Sequence, residues 1–148
     1  MREILFRGKR CDNSEWVQGY YIRAEHHWHN HGIHKDWITL GASANGGWFA
    51  LHNKYAVKAE TVGQFTGLTD KNGQKIFEGD IVAQNWYDHN EPADDSFGEV
   101  VFCEYDCSFS VMDVEKDGIV PLGKCHAYHW EAEVIGNIHD NPELLENP

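Results

Sequence analysis

The chain has 148 residues, with 12 Lys and Arg against 24 Asp and Glu, so its formal net charge is −12. This length predicts one domain with its own core, and an apolar fraction of 41% argues against disorder throughout. No apolar run approaches the roughly 18 residues of a membrane span, and the segment Met1–Ile4 begins no signal-peptide core. We therefore expect a cytoplasmic protein that makes no membrane contact and keeps its four cysteines reduced.

The charge is distributed unevenly along the chain. Residues 1–74 contain nine Lys and Arg and seven Asp and Glu, a net charge of +2. Residues 75–148 contain three and seventeen, a net charge of −14. Nucleic-acid-binding proteins show the opposite balance, because Lys and Arg displace the counterions of the phosphates. Direct nucleic-acid binding is therefore disfavoured, and the acidic half is interpreted as a solvated face or as a decoy for a nucleic-acid-binding protein.

Short runs of Val, Ile and aromatic residues between Gly and Asn turns predict a mainly β chain. The predicted strands, in chain order, are Arg2–Gly8, Glu15–Ile22, Trp37–Leu40, Trp48–Leu51, Thr61–Leu68, a strand entered at Ile81, Gly98–Cys103, Ser108–Val114 and Glu131–Ile138. The first two are expected to form a hairpin. Near the end, Asn141 as N-cap and Pro142 at the first helical position predict a short helical turn over Asn141–Leu145.

Three groups of segments carry a more specific pattern. They are Phe6–Lys9 with Glu15–Tyr20, Thr61–Leu68 with Asp70–Gly73 and Ile76–Val82, and Val134–Ile138 with Asn141–Leu145. In this order and spacing they resemble the YopX family of phage and prophage proteins. Residues 25–50 and 84–130 fit no such pattern, and we interpret them as variable excursions from a single domain over residues 1–148.

The resemblance implies a small cytoplasmic protein of a bacterial host whose fold is a small antiparallel barrel or pseudo-barrel. It supplies no reaction, so no catalytic or cofactor-binding residue is assigned. The leading hypothesis is a phage-encoded accessory protein that acts by protein–protein contact, with itself and with a host protein as candidate partners. The shared glycines are expected to allow positive φ or close backbone approach, and Asp80 is expected to accept a hydrogen bond from a nearby backbone N–H.

A histidine-rich stretch supports a rival hypothesis. His27, His29 and His31 would share one face if residues 27–31 were extended, and three imidazoles at that spacing can chelate zinc, nickel or copper. The chain would then be a metal-binding protein or a metal-dependent enzyme. A solvated loop is the preferred interpretation, so neither a metal site nor a cofactor is predicted.

A second set of possible ligands consists of Cys103, Cys107, Cys125 and His129. On one straight strand the Cα atoms of Cys103 and Cys107 would be about 13 Å apart, too far for one zinc ion. A turn between them could bring them together, but cysteines are also ordinary core residues. Sequence motifs of hydrolases and nucleotide-binding enzymes are missing. An enzyme is therefore the less favoured class.

The unequal halves also suggest self-association. A head-to-tail contact would place Arg2–Arg10 of one copy against Glu91–Glu99 of the next, and such contacts close into rings when the rotation permits. Exposed ion pairs are weak, so buried aromatic side chains would have to supply most of the stability. The alternative is that the two halves neutralise each other within one monomer.

Overall fold

The computed structural model of the chain describes residues 3–23, 36–45, 48–123 and 129–146. Within them lie eleven strands: β1 (Phe6–Lys9), β2 (Trp16–Arg23), β3 (Asp36–Asn45), β4 (Trp48–Ala56), β5 (Gly63–Thr69), β6 (Lys75–Phe77), β7 (Asp80–Asp88), β8 (Glu91–Cys103), β9 (Ser108–Asp113), β10 (Gly118–Pro121) and β11 (His129–Asn137). Short 3₁₀ turns occupy Ala59–Thr61 and Pro142–Leu145. The chain divides into two compact units, unit 1 (Met1–Phe65) and unit 2 (Thr66–Pro148).

Unit 1 is built on an antiparallel sheet with the strand order β4-β3-β2-β1-β5. Its first element is the predicted β1–β2 hairpin, in which Phe6 lies opposite Gly19 and Lys9 lies opposite Trp16. Ser14 adopts a φ of 60° in the connecting turn, and its N–H donates to the carbonyl oxygen of Arg10 at 3.0 Å. The hairpin predicted from the first two apolar runs is confirmed.

The buried apolar side chains of unit 1 are Ile38, Val57 and Phe65 among the described residues. Close to Ile38, the backbones of β2 and β3 approach each other at Gly19. A Cβ atom on Gly19 would overlap the carbonyl oxygen of Thr39 and would lie 3.0 Å from Cγ2 of Ile38. Only glycine leaves room for this backbone approach, as the sequence predicted for the glycines beside strands.

Unit 2 contains an antiparallel sheet with the order β10-β9-β8-β7-β11. Five of its buried apolar side chains form one cluster, made of Ile76, Val82, Val100, Val111 and Ala132. The fully buried Gln84 is hydrogen-bonded at both ends of its amide. Its Oε1 accepts from Nε1 of Trp130 at 2.9 Å, and its Nε2 donates to Oγ of Ser96 at 2.8 Å. A satisfied polar group of this kind can be buried without a large penalty.

Buried aspartates hold the turns of unit 2. Oδ2 of Asp80 accepts from the N–H of Phe77 at 2.8 Å, so the predicted backbone contact of this carboxylate is confirmed. Asp113 accepts from the N–H groups of Glu115 and Lys116, at 2.9 Å and 2.7 Å, and from the N–H of Phe97 on β8 at 3.3 Å. The carboxylate therefore ties the β9–β10 turn to a neighbouring strand.

The prediction of a mainly β fold with a short helical turn at its end is confirmed. The expectation of a barrel is corrected: the described strands lie in two antiparallel sheets, and neither sheet closes on itself. Asn141 occupies the predicted N-cap position, but its side chain makes no capping hydrogen bond. Among the described residues no helix is long and apolar enough to cross a membrane. The single domain over residues 1–148 stays a prediction.

Ser110 on β9 offers a test of the packing. Its side chain is fully buried, and its Oγ has no hydrogen-bond partner among the described residues. Because an unsatisfied buried hydroxyl is costly, Ser110→Ala is expected to raise the free energy of unfolding by about 1 kcal/mol. Chemical denaturation measures the change. Equal or lower stability of the variant would show that the hydroxyl has a partner in solution.

Candidate functional site

The histidine ligands of the metal hypothesis cannot be located. His27, His29 and His31 lie in residues 24–35, outside the described residues. The hypothesis that they chelate a metal therefore stays a hypothesis.

The cysteine set is only partly placed. Cys103 ends β8 and Cys107 lies in the following turn at a φ of 55°, where its Sγ donates to the carbonyl oxygen of Glu104 at 3.7 Å. Nε2 of His129 lies 3.1 Å from a carboxylate oxygen of Glu131, and Cys125 lies outside the described residues. Across the part of the chain that is described, no group of three or more His, Cys, Asp or Glu side chains could hold a metal ion.

Unit 1 contains a cleft of about 480 Å³, lined by Arg10, Cys11, Asp12, Lys54, Tyr55 and Ala56. The guanidinium of Arg10 lies 4.5 Å from the centroid of the Tyr55 ring. It also donates to both carboxylate oxygens of Asp12, at 2.9 Å and 2.5 Å. These bonds raise the pKa of Arg10 and lower the pKa of Asp12. The guanidinium of Arg10 is therefore already paired within the cleft.

Other cations of unit 1 are also engaged within the unit. Arg7 and Lys9 lie over the ring of Trp16, at 4.7 Å and 5.4 Å from its centroid. Lys54 lies 5.4 Å from the centroid of the Trp37 ring. In such cation–π contacts the positive charge is attracted by the face of the aromatic ring. The basic segment of the sequence thus has fewer free charges for an outside partner than its composition suggests.

The end of the β7–β8 hairpin is rich in acidic residues. All residues from Asp88 to Asp95 are exposed, and four of the eight are acidic. Lys116 donates to Oδ1 of Asp94 at 2.7 Å and also to the carbonyl oxygen of Asp95, and its bond lowers the pKa of Asp94. The hairpin end is an acidic surface in which one lysine neutralises part of the charge.

A second feature of unit 2 is a row of side chains across three neighbouring strands. Glu99 on β8 lies opposite Met112 on β9, and Met112 lies opposite Ile119 on β10. Directly opposed residues share one face of a sheet, so the three side chains form a row, named here the β8–β10 row. Met112 is 50% exposed and Ile119 is 53% exposed. Glu99 is half-buried, and burial raises the pKa of its carboxyl group.

Exposed apolar side chains occur in both units. The large ones among the described residues are Ile4, Tyr20 and Leu40 in unit 1 and Phe102, Tyr105, Met112, Ile119 and Ile135 in unit 2. The sequence did not single out these residues, because alternation along a strand does not show which face remains uncovered. The register of β8, β9 and β10 is what reveals the row.

The comparisons with known proteins agree with the fold. The family model described as YopX protein matches residues 5–146. Because this match covers nearly the whole chain, the chain belongs to the YopX family. Among solved structures, the crystal structure of protein EF1440 from Enterococcus faecalis is similar, with a TM-score of 0.52 and 24% identity over 98% of this chain and 99% of that chain. At this identity the likeness shows the fold alone. No curated protein matches the chain.

Proposed function

We propose that this YopX-family protein is a phage-encoded accessory protein, that it acts in the bacterial cytoplasm by protein–protein contact, and that it self-associates. The observation that carries the proposal is the set of exposed apolar side chains, which in unit 1 comprises Ile4, Tyr20 and Leu40, each at least 50% exposed. Apolar side chains scattered singly are normal on a protein surface. Here they recur on the strands of both units, which favours their burial by another protein.

For a contact between two like units, charge favours unit 1 over unit 2. Unit 1 has eight Lys and Arg against six Asp and Glu, a net charge of +2. Unit 2 has four against eighteen, a net charge of −14. Two copies of unit 2 repel each other, whereas two nearly neutral copies of unit 1 do not. We therefore assign self-association to the exposed apolar residues of unit 1.

The paired state of the unit 1 cations predicts how the contact responds to salt. Because Arg10 is held by Asp12, an intermolecular ion pair would have to replace an existing one. Exposed ion pairs contribute only about 0–1 kcal/mol and are screened by salt. We expect an oligomer whose stability depends on apolar contact and therefore persists at high ionic strength.

Light scattering after size-exclusion chromatography tests this proposal at about 0.1 M and about 1 M NaCl. The expected result is the same oligomeric mass in both buffers. A monomeric mass in both would overturn self-association, and an oligomer only in the dilute buffer would assign it to charge.

A variant pair locates the contact on unit 1. Tyr20 lies opposite Thr39, so Tyr20 and Leu40 point to opposite faces of the sheet. The double variant Tyr20→Ser with Leu40→Ser therefore removes an exposed apolar side chain from each face and is expected to raise the dissociation constant about tenfold or more. The matched control is Gln18→Ser, which changes an exposed polar position of the same strand β2. Equal dissociation constants for the double variant and the control would contradict the assignment to unit 1.

A further inference from the structure

The β8–β10 row combines two exposed apolar side chains with a partly desolvated carboxylate. Met112 and Ile119 are about half exposed, and Ile81, which lies opposite Glu99 on the other side, is fully buried. Glu99 therefore stands at the boundary between the covered and the open part of this sheet face. Its two cross-strand neighbours, Ile81 and Met112, are apolar rather than cationic.

The Glu99 carboxylate makes no hydrogen bond or ion pair with another side chain among the described residues. In this it differs from Asp94, which is bonded to Lys116, and from Asp113, which accepts three backbone N–H groups. Burial alone accounts for the raised pKa of Glu99. A protein that covered Met112 and Ile119 with apolar groups only would remove more water from this carboxylate without pairing it, which is costly.

We propose that the β8–β10 row is a docking site for a cationic apolar segment of a different protein. A lysine or arginine of that segment pairs with Glu99, and its neighbouring apolar side chains pack on Met112 and Ile119. The inference rests on the proposed function, since it names the kind of partner that an acidic protein acting by protein–protein contact binds.

The charge of the chain argues that the occupant is not a second copy. Unit 2 has no arginine, and its four lysines face eighteen acidic residues. In unit 1, Arg10 is bonded to Asp12 and Lys54 lies over Trp37. A basic segment of another protein meets an acidic unit without such competition, and complementary charge also speeds its association.

The probe is a fluorescent peptide of about eight residues that alternates lysine and valine, so that one face of the extended chain is cationic and the other apolar. Binding to the full-length protein is followed by fluorescence anisotropy. Glu99→Gln and Met112→Ser are each expected to weaken binding about tenfold. Glu99→Gln keeps the size of the side chain and removes its charge.

Two control variants match these changes elsewhere on unit 2. Glu143→Gln removes one negative charge from the exposed 3₁₀ turn, and Ile135→Ser removes one exposed apolar side chain from β11. Both are expected to bind the peptide as the unchanged protein does. Thermal unfolding of all four variants verifies that they are folded.

Three results would overturn the proposal. One is equal weakening by Glu99→Gln and Glu143→Gln, which would mean binding to net charge alone. Another is equal binding of a peptide in which serine replaces each valine, which would show that apolar contact does not contribute to binding. The third is no binding of the peptide together with a lower oligomeric mass for Met112→Ser, which would assign the row to a second copy. Self-association of the unchanged protein is measured separately by light scattering, so its failure is distinguishable from failure of the docking site.

Discussion

Replacing Gly98 by alanine is expected to lower the free energy of unfolding by about 3 kcal/mol, more than any exposed substitution in this chain. Gly98 is buried on β8, between Val82 of β7 and Asp113 of β9. A Cβ atom there would overlap the carbonyl oxygen of Met112, 2.7 Å from its carbonyl carbon. The obstacle is backbone of the neighbouring strand, so it cannot be relieved by a change of rotamer. The strands must separate, and the β8–β9 ladder weakens.

Gly41 provides the matched control for this prediction. It also lies in a strand, β3, but a Cβ atom at Gly41 would have no other atom within 4 Å. Gly41→Ala is therefore expected to leave the free energy of unfolding unchanged or raise it by about 0.5–1 kcal/mol. Chemical denaturation of both variants gives the comparison. If Gly98→Ala were as stable as Gly41→Ala, the close approach of β8 and β9 would be wrong.

The local elements of this fold were predictable, because their signals lie within a few residues of one another. The β1–β2 hairpin and the turn at Pro142–Leu145 both follow from short patterns of turn residues and apolar residues. The bond from the Phe77 N–H to Asp80 spans three residues and was predicted for the same reason.

Features that depend on distant parts of the chain were not predictable. The sequence predicts a strand entered at Ile81 but not its length, and in the structure β7 continues to Asp88 and pairs with β8 as far as Glu91. The exposed end of this hairpin has no apolar alternation, because its ladder is held by backbone hydrogen bonds rather than by a buried face.

The candidate site shows the same limit. Histidines and cysteines are recognisable in a sequence as possible metal ligands, because each of these residue types can bind metal. The β8–β10 row is defined instead by register, since Glu99, Met112 and Ile119 are ordinary residues until β9 places them side by side. Asp113 lies within the strand predicted over Ser108–Val114, and its role in the β9–β10 turn is shown only by its bonds to Lys116 and Phe97.

Asp70→Asn is the second substitution with a large expected effect, a loss of about 2–3 kcal/mol at neutral pH. Asp70 is buried at the β5–β6 turn. Its Oδ1 accepts from the N–H groups of Asn72 and Gln74, both at 2.8 Å, and its Oδ2 accepts from the N–H of Val134 on β11 at 3.2 Å. An asparagine keeps only one of these two acceptor oxygens, and its NH₂ group takes the position of the other. At least one buried N–H then faces another donor.

The pH dependence of this loss has a definite sign. Burial acts to raise the pKa of Asp70, but the N–H groups of Gln74, Val134 and Asn72 outweigh it, so the pKa is lowered. A lowered pKa in the folded state contributes stability that is complete above the pKa of the unfolded chain, about 4. That contribution is lost as the pH falls through the folded pKa. The difference between the unchanged protein and Asp70→Asn is therefore expected to be constant near neutral pH and to shrink below about pH 4.

Denaturation curves recorded from neutral pH to about pH 3 measure this difference. Asp117→Asn is the control, because Asp117 is exposed in the β9–β10 turn and asparagine tolerates its φ of 47°. Its stability is expected to follow that of the unchanged protein across the whole range. A difference for Asp70→Asn that stayed constant below pH 4 would show that the loss comes from packing. The charged form of the carboxylate would then not be what the three N–H groups stabilise, and the turn would owe its geometry to the backbone alone.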